Sequence, residues 1–105
     1  MEIIGRRKSL TACTESGWDA YDLLTAEPLS DEDIELFREI GGSFLYLKQL
    51  KRPFFKVESH SYVIRGSKGE SFFRFAAHRE SLHEIDRAAR LLSPGWQGSW
   101  NDKFT

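Results

Sequence analysis

Glu58 and His60 stand two residues apart. On a regular strand both side chains point to one face, and a carboxylate beside an imidazole can move a proton near neutral pH. No nucleophile or orienting group accompanies them locally, so the plainer expectation is an exposed neighbour pair. His78 and His83 are five apart, a spacing that does not share a helical face. The chain has no His-x-x-x-His and no Cys-x-x-Cys, so neither a metal nor a cofactor is expected. Cys13 has no adjacent base to make a thiolate and reads as a small apolar filler on a strand. The run Arg65-Gly66-Ser67-Lys68-Gly69 could cradle a phosphate with backbone N–H groups. It lacks the Walker spacing and does not open a helix, so a hairpin loop is expected.

A stronger signal than any of these pairs is the distribution of charge. Between residues 43 and 78 lie seven cations (Lys48, Lys51, Arg52, Lys56, Arg65, Lys68 and Arg74) and two anions, Glu58 and Glu70, for a net +5. Between residues 30 and 42 lie five acids and one base, Arg38, for a net −4. The whole chain of 105 residues nets −1, so nothing in the bulk composition pulls it toward nucleic acid or membrane. Any such pull has to come from the local patch. The basic stretch also holds eight aromatic residues, among them Phe44, Tyr46, Phe54 and Phe72.

The length fits one domain, residues 1–105, with an irregular tail at 95–105. A chain of this size supports one core without disulfide or metal staples. A single cysteine excludes an internal disulfide and points to a reducing, cytoplasmic setting. No apolar run approaches the roughly 18 residues of a membrane span. The basic N-terminus has no apolar stretch after it, so no secretory signal is expected.

Several elements must position these residues. Residues 8–14 alternate loosely and read as a short strand. Residues 16–26 read as a short helix, with Trp18, Tyr21 and Leu24 at helical spacing before Pro28. Ser30 caps a second helix to Ile40, where Asp31, Glu32 and Asp33 suit the first turn and Gly41-Gly42 supply the stop. Three strands follow: residues 44–50, a long one at 54–65 with a bulge or bend at 58–61, and 70–77. A last helix runs from about residue 79 or 81 to Leu92, with Ser81 and Glu84 at capping-box spacing. The expected fold is α+β and two-layered. Its sheet is a three-stranded antiparallel meander, or four-stranded with the N-terminal strand, and two main helices pack on one face.

Parity divides the side chains. Leu45, Leu47, Phe73 and Phe75, with Phe55 and Val57, are expected under the helices. Phe44, Tyr46, Lys48, Lys56, Glu58, His60, Phe72 and Arg74 are expected on the other face. Of these, Phe44, Tyr46, Lys48, Lys56, His60, Phe72 and Arg74 are the candidate binding residues, because rings mixed with cations suit partner proteins or phosphates and bases. The tail's Trp96 and Trp100 decide whether that face stays open, since buried tryptophan is the cheaper state.

The octapeptide Lys68-Gly69-Glu70-Ser71-Phe72-Phe73-Arg74-Phe75 resembles the RNP1 signature of RNA-recognition-motif domains. It reads as a strand followed by a helix, as in that family. Glu70 stands where the signature has a stacking aromatic, an extra strand intervenes upstream, and no fourth strand follows Leu92. The likeness covers eight residues, and the chain is not assigned to that family.

The sequence therefore supports a non-enzymatic binding or protein-interaction module, with self-association as one mode. Two alternatives remain: single-stranded nucleic-acid binding through the basic-aromatic face, and an enzyme using Glu58 and His60. No membrane partner is expected.

Overall fold

The structure is a computed structural model and describes residues 1–9, 16–98 and 100. Six strands form one sheet: β1 (Ile3–Lys8), β2 (Trp18–Thr25), β3 (Ser43–Leu47), β4 (Phe54–Glu58), β5 (Tyr62–Ser67) and β6 (Phe72–His78). Their order across the sheet is β1-β2-β6-β5-β4-β3, and every neighbouring pair is antiparallel. Two short helices complete the fold, α1 (Asp31–Glu35) and α2 (His83–Leu92). A 3₁₀ turn, Leu36–Glu39, extends α1 and another, Arg79–Ser81, leads into α2.

The expected three- or four-stranded meander is corrected to six strands. Residues 16–26 are not a helix, because Trp18–Thr25 is a sheet-interior strand paired on both sides. Leu23 is buried on the helix side, while Ala20 and Asp22 are buried on the other. A strand buried on both faces loses its alternation, and its apolar residues can fall by chance at helical spacing. Gly17 enters it at φ +83, which a helix would not accept. The long strand at 54–65 is a hairpin, with residues 59–61 turning between β4 and β5. β1 lies earlier than the strand expected at 8–14, and residues 10–14 of that reading, Cys13 included, fall outside the described residues.

Both helices pack on one face, as the apolar stripes required. Ile34, Phe37 and Ile40 join Ile85, Ala88, Ala89 and Leu92 over Leu23, Phe55, Val57, Ile64, Phe73 and Phe75. The Phe37 ring sits 4.5 Å from Phe55 and 4.9 Å from Phe73, centroid to centroid. Ser30 caps α1 as expected: its hydroxyl accepts from the Asp33 N–H, and the Asp33 carboxylate accepts from the Ser30 N–H. The cap expected at Ser81 is replaced, since Ser81 lies in the 3₁₀ turn and α2 starts after Leu82 without a side-chain cap. Gly66 is required by packing. A Cβ there would lie 2.5 Å from the buried Phe55 ring.

Candidate functional site

Cross-strand partners in an antiparallel sheet share a face, so the register assigns every strand residue to a side. On β3 that assignment reverses the expected parity. Phe44 faces with Val57 and Tyr46 with Phe55, toward the helices, and Leu45 and Leu47 turn to the open face. The physical reason is that β3 is an edge strand. Its rings find cover at the sheet's rim: Arg38 lies 4.4 Å over Phe44, and the Tyr46 hydroxyl donates to Asp31. Leu45 stays 45% exposed, which an edge residue tolerates. Lys48 follows its strand to this side and pairs with Glu35 at 3.9 Å.

That side is an electrostatic clamp between α1 and the loops. Asp31 accepts from Tyr46 and lies 3.0 Å from the Lys68 ammonium. These two hydrogen bonds hold its carboxyl below the usual range. Glu35 is likewise lowered by Arg38 and Lys48. Burial, then the Asp31 carboxylate, push the Tyr46 phenol up to about 12. Two cations of the basic run, Lys48 and Lys68, thus offset part of the acidic run inside one molecule.

The candidate residues that do meet are Lys56, Phe72 and Arg74, and they meet on the open face. Its composition is ordered in rows that cross the strands. One row runs Arg7, Asp22, Arg74, Arg65, Lys56, each directly opposite the next on the neighbouring strand. Three consecutive members, Arg74, Arg65 and Lys56, are cations. Two residues along each strand lies an apolar row, in which Leu24 faces Phe72 and Phe54 faces Leu47. Ser67, opposite Phe54, is the small residue between the two phenylalanines. The sequence reading missed Arg65, Phe54 and Arg7. The signal for Phe54 and Arg65 was the alternation Phe54-Lys56-Glu58 and Val63-Arg65-Ser67, visible once residues 54–67 are divided into two strands, and Arg7 lies on β1, ahead of the strand expected at 8–14.

The local chemistry of the cation row is partly balanced. Arg7 reaches Asp22 at 3.3 Å and lies 5.8 Å over the Phe72 ring. Lys56 is 3.7 Å from Glu58. Arg65 is exposed. Phe54, Phe72, Arg65, Arg74 and Ser67 line an open pocket of about 290 Å³, with the Arg52–Glu70 pair (3.1 Å) at its rim. No described element covers this face. The helices lie on the other side, and so do the tryptophans after α2. The Trp100 indole donates to Asp86 at 2.6 Å, Trp96 stacks on Trp100, and Arg6 lies over Trp100.

Glu58 pairs with Lys56, and His60 sits exposed in the β4–β5 turn. Neither lines the pocket just described, nor the larger one of about 660 Å³ between the β1 edge and Trp96. Among the described residues, no group of three or more histidine, cysteine or acidic side chains converges to hold a metal. No described helix is long and apolar enough to cross a membrane. Of the octapeptide at residues 68–75, the second half lies on β6, with Phe72 and Arg74 outward and Phe73 and Phe75 buried, while residues 68–71 form the turn before it, in a six-stranded order with α2 after the last strand. No family model, no curated protein and no solved structure matches this chain.

Proposed function

We propose that this chain is a non-enzymatic binding module and that the open sheet face is its binding surface for an anionic partner. The observation that supports this reading is the row of Arg74, Arg65 and Lys56, directly opposite one another on three adjacent strands. Like charges in facing positions cost stability. The row sets three cations side by side on a face that no described element covers, a pattern complementary to an anionic surface. Half-buried Phe54 and Phe72 beside the row supply the aromatic contact that binding surfaces favour.

Self-association through opposite potentials has the weaker support. The acidic helix already holds Lys48, Lys68 and Arg38 as its own counter-ions. With one cysteine in the sequence, a reducing compartment, the cytoplasm, is the setting we assign to the module.

The test is a titration of the isotope-labelled protein with polyglutamate and with heparin at low salt, followed by backbone amide shifts. The expected result is movement concentrated in β4, β5 and β6 at Lys56, Arg65, Phe72 and Arg74. Shifts confined to the Lys48–Arg52 loop, or none with either polyanion, would overturn it.

A further inference from the structure

We infer that the anionic partner is single-stranded nucleic acid, lying across the strands with its phosphates on the cation row and its bases on the aromatic row. This inference rests on the open face being the binding surface. Neighbouring strands are about 4.8 Å apart, so Arg74, Arg65 and Lys56 present charge over about 10 Å in a line. Phe72 and Phe54 lie on β6 and β4, also two strands apart, hence about 10 Å from each other. The two rows are separated by two residues of strand, about 7 Å. The surface therefore offers evenly spaced positive charge along one line and flat π-faces along a parallel one. A strand of nucleic acid carries the complement of that pattern: a charge at every unit on one side and a planar ring at every unit on the other.

A carboxylate side chain meets one or two of the three cations and leaves the rings to unrelated contacts. A duplex keeps its base faces inside its own stack, out of reach of Phe54 and Phe72. The slot between the rings is floored by Ser67 and measures about 290 Å³, below the range of drug-sized sites and of a size for one base. Glu70 at its rim is held by Arg52. It repels phosphate there and accepts from an exocyclic amine, which favours the base end of the nucleotide in that position.

Three phosphate contacts on a single strand give a slope of log Kobs against log[salt] of about −2. The decisive experiment is fluorescence anisotropy at low salt with labelled DNA and RNA oligonucleotides of about ten nucleotides. The same sequence as a duplex, and polyphosphate and polyglutamate as competitors without bases, run beside them. Expected are binding of the single strand with that slope, and a loss of about tenfold each in Arg65→Ala and Phe72→Ala. Lys48→Ala, on the helix side, should bind as wild type. Phe54→Ala provides a second ring deletion should Phe72→Ala melt early. Competition by polyglutamate as strong as by oligonucleotide, equal binding of the duplex, or full affinity in both ring variants would overturn the nucleic-acid assignment while leaving an anion-binding face. Absence of binding by every polyanion would remove the face itself.

Discussion

Arg65 and Arg74 stand directly opposite each other on β5 and β6. Lys56 opposite Arg65 extends the line of like charge to a third strand, while Arg74 has Asp22 opposite it on its other side. A residue kept for stability would carry the opposite sign. Arg65→Glu should therefore stabilise the free protein by about 0.2–1 kcal/mol. A thermal melt at low salt reads the gain, and added salt should shrink it because the pair is exposed. A lower melting temperature would mean that Arg65 supports the sheet rather than a partner.

Gly66 lies under the Phe55 ring, where a methyl group would also approach the Phe73 Cβ at 3.2 Å. Gly66→Ala should destabilise by about 1–3 kcal/mol through overpacking of a full core. Gly5, where an added Cβ meets nothing within 4 Å, is the control. Urea denaturation of the two variants separates a steric effect from the general effect of replacing glycine. Equal midpoints would contradict the packing described.

The clamp at α1 predicts opposite behaviour at the two ends of the pH scale. Asp31 is lowered in the folded state by the Tyr46 hydroxyl and Lys68. The unfolded chain then binds that proton more readily, so this contribution is present above the ordinary aspartate range and is lost as pH falls through it. Tyr46 is raised to about 12 by burial and by Asp31. Its contribution is present below the ordinary phenol value and is lost as pH rises from there toward 12. Asp31→Asn should flatten the acid limb, and Tyr46→Phe the alkaline limb. Chemical denaturation across pH checks both, and phenolate absorbance compared between wild type and Tyr46→Phe should show Tyr46 ionising late. A variant with both limbs unchanged would mean that the clamp carries no stability.

Ser30 and Asp33 satisfy each other's backbone N–H groups at the start of α1. Ser30→Ala should cost about 0.5–2 kcal/mol, measured by thermal melt at neutral pH. A loss below that range would show that the buried Ile34 and Phe37 alone anchor this end.

The parts legible in the sequence were those set by local chemistry. Ser30 with its acidic first turn, the Gly41-Gly42 stop, and the stripe of Ile85, Ala89 and Leu92 all read correctly because capping and amphipathic burial act within a few residues. β2 did not, because its environment is made by two neighbouring strands, one of which, β6, lies far away in sequence. Once buried on both sides, Trp18–Thr25 no longer shows a period of two. The candidate site divided along the same line. Lys56, Phe72 and Arg74 belong to interior strands, where burial of Phe55, Val57, Phe73 and Phe75 enforces alternation. Phe44, Tyr46 and Lys48 belong to an edge, where no second neighbour dictates which side turns inward.

The strand order also sets how the chain assembles. β3 through β6 are successive in sequence and in space, so four strands can zip by local hairpins. β1 and β2 form their own hairpin and join the rest of the sheet through the β2–β6 seam, which runs from Trp18 opposite His78 to Leu24 opposite Phe72. Closing that seam brings together distant parts of the chain and carries the largest loop-closure entropy. The N-terminal hairpin should dock last and open first, and its amides should exchange with solvent sooner than those of β5. The charged row crosses this junction with Asp22 opposite Arg74, so the late-arriving hairpin sets a carboxylate against the end of the cation line formed earlier.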